Sequence, residues 1–123
     1  MKILVVDDEQ EVQRLFEQRF RKERREGLVE FHFAFSGEQA LQFLEQQKVT
    51  DLALILSDIN MPGMSDLELL RAIREKYREL KVFMVTAYEN DRNRELALQF
   101  GADDYLTKPL DFTLLKEKIS TIL

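Results

Sequence analysis

Five residues in this chain stand where apolar runs stop, and their types suit one chemistry. Asp7 and Asp8 follow ILVV at 3–6, Asp58 follows LALILS at 52–57, Thr86 follows VFMV at 82–85, and Lys108 closes YLTK at 105–108. Taken singly, each acid could be a helix cap or a turn residue. Taken together they offer a carboxylate nucleophile, further carboxylates for a hard cation, a hydroxyl and an ammonium. That set suits phosphoryl transfer, in which catalysis is mostly positioning and charge neutralisation. Carboxylates brought this close need a positive partner, because two of them at 4 Å repel by roughly 4 kcal/mol at an effective dielectric of about 20. Lys108 is one candidate. The other is Mg2+, which takes one or two carboxylates plus waters and phosphate oxygens, with Mn2+ as a substitute.

The elements that must bring these residues together alternate between strand and helix patterns. Ile3–Val6, Leu52–Leu56 and Val82–Val85 are short continuous apolar runs, as in strands buried on both faces. Residues 29–35 alternate Val29, Phe31, Phe33 and Phe35 with Glu30, His32 and Ala34, which predicts a strand with one face to water and its phenylalanines in the core. Tyr105 and Leu106 make a short fifth strand. Helical spacing of Val12, Leu15, Phe16 and Phe20 predicts a helix over 10–26 that stops at Gly27. Gly37 opens a second helix, and Ser65 with Glu68 forms a capping box for a third through Tyr77. Asn90 or Asp91 caps a fourth that ends at Gly101, and Asp111 caps the last.

Five βα units predict an α/β fold, (βα)5, with a five-stranded parallel sheet and helices on both faces. The half-exposed second strand belongs at an edge, which gives the flavodoxin-like order 2-1-3-4-5. In such a sheet the ligand site lies beyond the strand C-termini where strands 1 and 3 adjoin, so Asp7, Asp8 and Asp58 should converge there.

The 123 residues are read as one domain over 1–123. With 45% hydrophobic and 33% charged residues the chain is globular, and its net charge of −5 argues against non-specific contact with nucleic acid or anionic membrane. Cysteine is absent, which excludes disulfides and thiolate chemistry and fits a cytoplasmic location. The run at 3–6 is too short for a signal peptide, and no stretch approaches a membrane span. The basic cluster Arg21, Lys22, Arg24 and Arg25 reads as a solvated helix end. Asp103 and Asp104 read as turn residues, and His32 is given no role.

The stretches ILVVDDE, LILSDINMPGM, VFMVTAY and GADDYLTKPL, in this order, resemble the receiver domain of two-component response regulators, and the single-domain chemotaxis regulators in particular. The resemblance implies that Asp58 accepts a phosphoryl group from a histidine kinase or phosphotransfer protein. It implies that Asp8 binds Mg2+ directly, Asp7 through water, and Asn60 through its backbone carbonyl. Thr86 and Lys108 would contact the phosphoryl oxygens, with the Lys108–Pro109 bond cis, and Thr86 and Tyr105 would form the switch. Asn60 and Tyr88 flank the expected phosphoryl position and should set water access to it. Family members meet effectors or a second copy through the fourth helix, fifth strand and fifth helix. Such a module would catalyse only its own phosphorylation and slow dephosphorylation.

Two stretches depart from the family pattern: Ser65-Asp66 replaces the usual Asp-Gly, and RKERREGLVEF lengthens the first helix and its exit by about a turn. A magnesium-dependent phosphohydrolase working through an aspartyl phosphate is the alternative, though the usual D-x-D after the first strand is absent. An FMN module would need a Ser/Thr/Gly-rich phosphate loop where this chain has acids.

Overall fold

The computed structural model describes residues 1–46, 52–58, 66–86, 95, 98–99, 101–107 and 109–122; for Asp66, Leu67 and Thr86 only the backbone is described. The strands are β1 (Lys2–Val6), β2 (Glu30–Ala34), β3 (Leu52–Asp58), β4 (Lys81–Thr86) and β5 (Asp104–Thr107). They form one parallel sheet in the order β2-β1-β3-β4-β5, as the alternating pattern predicts. The described helices are α1 (Glu11–Arg19), α2 (Arg21–Arg25), α3 (Gly37–Gln46), α4 (Asp66–Lys76) and α5 (Phe112–Ser120).

Alternation along the buried strands divides the core into two layers. Leu4, Val6, Ile55, Val82 and Met84 face one side, where Ala40 and Leu44 of α3 and Leu69, Leu70 and Ile73 of α4 cover them. Ile3, Val5, Leu54, Leu56, Phe83 and Val85 face the other, beneath Phe16 of α1, Phe20, and Leu115 and Ile119 of α5. No helix among the described residues is long and apolar enough to cross a membrane.

The helix expected over 10–26 bends. Phe20 leaves helical geometry at φ −108° and ψ 23°, yet its N–H still donates to Phe16 O and its carbonyl still accepts from Arg24 N–H. Its ring stays stacked on Phe16 at 6.0 Å and lies 4.9 Å from Phe31, so the bend accommodates the aromatic packing. Gly27 ends the segment at φ 73°, where Leu28 N–H donates to Glu23 O and Gly27 N–H to Arg24 O. This pair of bonds needs a left-handed residue at that position, and glycine adopts it without strain. The extension is tied to the fold by Lys116, whose ammonium lies 3.0 Å from the Glu23 carboxylate and over the Phe20 ring. The Lys116 hydrogen bond holds the Glu23 carboxyl below its ordinary 4.5. That contribution to stability is complete above pH 4.5 and is lost as pH falls through the lower folded value.

Two expectations need correction. Strand β2 keeps only part of one face in water: Glu30 is exposed, but Ala34 is buried, His32 is half-buried with its ring 5.1 Å from Phe43, and Phe31, Phe33 and Phe35 are only half-buried. Helix α3 covers the face assigned to solvent, while the phenylalanines lie at the border of the α1 layer. Asp104 lies within β5 and pairs with Lys118 at 2.6 Å, and so does not precede the strand. Asp103 does precede it, and accepts from Val82 N–H and from the Arg74 guanidinium. Asp111 caps α5 as expected, accepting from Thr113 and Leu114 N–H. The Ser65 cap and the Asn90 or Asp91 cap lie outside the described residues.

Phe16 joins Phe20, Phe31, Phe33 and Phe112 in one aromatic cluster between α1, β2 and α5. Replacing Phe16 by Ala is expected to lower unfolding free energy by about 3–5 kcal/mol in urea titrations; a loss below about 1 kcal/mol would mean that the cluster does not anchor α1.

Candidate functional site

Strand β1 ends at Val6, and the chain continues in register for one more residue, because Asp7 N–H donates to Ala34 O at 3.0 Å. That bond fixes the Asp7 backbone, and its side chain folds back so that Oδ1 accepts from Glu9 N–H at 2.9 Å. Asp58 is the last residue of β3, longer than the apolar run alone predicts, and it pairs with Val85 of β4. Strands β1 and β3 are neighbours, with Val6 opposite Ser57. The two segments therefore deliver their acids to one place.

Asp7, Asp8 and Asp58 each offer a carboxylate oxygen within 4.8 Å of the others. Asp7 and Asp58 are 7% and 5% exposed, whereas Asp8 faces solvent. At that spacing each pair repels by roughly 3.5 kcal/mol at an effective dielectric of about 20, less where water reaches Asp8. Three hard oxygen donors, two of them buried and one open to solvent, match what a small divalent cation accepts: a few carboxylates, with room for water or a phosphate oxygen. Softer metals that select thiolate or imidazole find no such ligand in this donor set.

The other expected site residues are distributed as follows. Thr86 ends β4 one residue beyond the partner of Asp58 and opposite Thr107 of β5, so its backbone lies on the same edge of the sheet. Tyr105 lies inside β5 opposite Met84, half-buried against the layer that α3 and α4 cover. Asn60, Tyr88 and Lys108 lie outside the described residues.

An apolar cleft of about 440 Å³, lined in part by Asp7 and Asp58, has no counterpart in the sequence patterns. Its lining comes from β1, α1, β3, β4 and the segment before α5, so no local pattern announces it.

The response regulator receiver domain model matches residues 3–120. The chain belongs to the response regulator receiver family. Its sheet order is that of the receiver fold, and solved receivers superpose on it closely. The response regulator protein TrrA from Thermotoga maritima, in complex with Mg2+-BeF, is 34% identical with a TM-score of 0.82, over 99% of this chain and 98% of that one. A CheY-like receiver domain protein from Methanospirillum hungatei is 29% identical with a TM-score of 0.81, over 98% and 94%. A receiver protein from Pseudomonas putida is 26% identical with a TM-score of 0.85, over 98% and 95%.

If the carboxylates repel one another in this receiver, removing the exposed charge should help in the absence of metal. Asp8→Asn is expected to raise stability by on the order of 1 kcal/mol in chelator-treated buffer, and to lose that advantage at saturating Mg2+. Thermal melts under both conditions test it, and a destabilised variant in chelator would contradict it.

Proposed function

We propose that this receiver, acting as a single domain over 1–123, takes a phosphoryl group onto Asp58 from the phosphohistidine of a histidine kinase or phosphotransfer protein. One observation carries the reading: a buried carboxylate ends a central strand within 4.8 Å of two further carboxylates, in a chain of the receiver family. An Asp58 oxygen forms the bond to phosphorus as the P–N bond breaks. The electron pair leaves with the imidazole, which then takes a proton. Asp7 and Asp8, with the Asn60 carbonyl, would hold Mg2+. When bound, the ion supplies charge neutralisation for the acids and for the incoming phosphoryl oxygens.

Asp7 suits a holding role because its Oδ1 is already committed to Glu9 N–H, which fixes the orientation of its carboxylate. Asp58 suits the nucleophile role because pairing with Val85 holds its backbone at the end of a central strand and limits its movement during transfer. In the proposal Thr86 and Lys108 bind the phosphoryl oxygens. Tyr105 moves with Thr86 as the switch, and Asn60 and Tyr88 set the access of water to the acyl phosphate. Phosphorylation then biases a two-state element formed by Thr86, Tyr105 and the segment between β4 and β5. An effector domain or protein, or a second copy of the chain, reads the change through that segment, β5 and the final helix. The setting proposed for this exchange is the cytoplasm. Water finally attacks phosphorus, returning the carboxylate and inorganic phosphate, so the chain catalyses reactions only on itself.

Acetyl phosphate with Mg2+ should produce a phosphoprotein in which intact-mass measurement finds one phosphoryl group per chain. Asp58→Asn should remain unlabelled under the same conditions. Equal labelling of that variant would overturn the assignment of Asp58.

A further inference from the structure

Away from the acids, charge is distributed most unevenly along the lengthened first helix. The net charge of the chain is −5, yet residues 14–25 hold six basic side chains and two acids. One of those acids, Glu23, is already paired with Lys116. Helical spacing puts Arg14, Glu17, Gln18, Arg21 and Arg24 on one face, where they line a polar groove of about 460 Å³. Both α1 and α2 contribute to that lining, so the groove crosses the bend at Phe20.

Arg14, Arg21 and Arg24 are exposed and make no ion pair or side-chain hydrogen bond among the described residues. By contrast, Arg74 pairs with Asp103, Lys118 pairs with Asp104, and Arg19 lies over the Phe112 ring. Glu17 is half-buried, and its Oε1 accepts from Gln13 Nε2 at 3.1 Å, which draws it back along the helix. A solvated helix end accounts for Lys22 and Arg25, but not for Arg14 in the first half of α1. The bend itself is held by the Phe16–Phe20 stack, by Glu23 with Lys116, and by the bonds that close the segment at Gly27. The backbone on both sides of the groove is therefore fixed before anything binds.

A guanidinium presents a planar fork of donors that matches phosphate oxygens two at a time. Three of them around one groove suit a group that carries several negative charges. The volume falls within the range of roughly 300–1,000 Å³ typical of small-molecule sites. The flanks limit the length of the ligand: a long polyanion would run on to Glu11 at one end or to Glu26 and Glu30 at the other, all of them exposed. We propose that this groove binds a diphosphate group, free or carried by a nucleoside, with Arg14, Arg21 and Arg24 donating to its oxygens. This site goes beyond the phosphoacceptor reading and does not depend on it.

The test is calorimetry with amide NMR on the full chain in metal-free buffer, using pyrophosphate, ADP, orthophosphate, oligothymidylate and hexaglutamate as probes. Pyrophosphate is expected to bind saturably, to shift the amides of Arg14, Gln18, Arg21 and Arg24, and to bind about tenfold more tightly than orthophosphate. Tighter binding of ADP assigns the site to nucleoside diphosphates, and equal or weaker binding of ADP assigns it to the free diphosphate. Arg21→Gln should weaken pyrophosphate about tenfold. Arg71→Gln removes the same charge from an exposed position on α4 and should leave the affinity unchanged. Should Arg21→Gln loosen α2, Arg14→Gln in α1 provides the same test. Absent saturable binding, equal weakening by Arg71→Gln, orthophosphate as tight as pyrophosphate, tighter binding of oligothymidylate or hexaglutamate, or shifts confined to another surface would each overturn the proposal. Absent pyrophosphate binding with intact Asp58 labelling rejects this groove alone. Absent labelling with intact pyrophosphate binding rejects the phosphoacceptor reading alone.

Discussion

The convergence of three carboxylates at one end of a parallel sheet is the constraint on which the rest of this structure depends. Neighbouring β1 and β3 run parallel, so whatever follows each strand arrives at the same edge. Here what arrives is Asp7 and Asp8 from one and Asp58 from the other. Two of these acids are removed from water by the burial of the strands that carry them. Burying a charge is costly unless it is paired or bound to metal, and the proposed cation and phosphoryl chemistry would put that burial to use. The rest of the sheet holds those acids still. Asp7 is pinned on both sides, by Ala34 O and by Glu9 N–H, while Asp58 is held by the last pair of the β3–β4 ladder, opposite Val85.

The two core layers contribute unequally to that edge. The layer under α3 and α4 has no fully buried aromatic ring among the described residues, and Leu69, Leu70 and Ile73 there are at most 1% exposed. The layer under α1 and α5 is closed by aromatic rings at its far end and is open near the acids. The lengthened first helix belongs to the closed end, where Glu23 and Lys116 join the extension to α5. The extension thus consolidates the side of the layer away from the acids.

Much of this was legible in the residues. Short apolar runs at 3–6, 52–56 and 82–85 carry the strand assignment, because a strand covered on both faces has no polar side to show. The parallel order and the convergence of Asp7, Asp8 and Asp58 follow from it. The second strand was harder to read. Phe31 and Phe33 alternate with His32 as though one face met water, but α3 covers that face, and single-sequence periodicity cannot report what a distant helix shields. The bend at Phe20 was hidden for a related reason: helical spacing runs unbroken through it, and only the rings of Phe16, Phe31 and Phe112 show why the backbone yields. A box of Ser36 with Gln39 caps α3, with Gln39 N–H donating to Ser36 Oγ and Gln39 Oε1 accepting from Phe35 N–H, although Gly37 is the louder local signal. The cleft, assembled from five separate segments, had no signature of its own.

In the proposed mechanism the acids at the ends of β1 and β3 act as one cation site. Paramagnetic line broadening by substoichiometric Mn2+ in the amide NMR spectrum tests it most directly. Amide signals of Asp7, Asp8 and Asp58 are expected to vanish first, with excess Mg2+ restoring them together. First loss at the other acidic pair, Asp103 and Asp104, or uniform broadening that Mg2+ does not reverse, would contradict it.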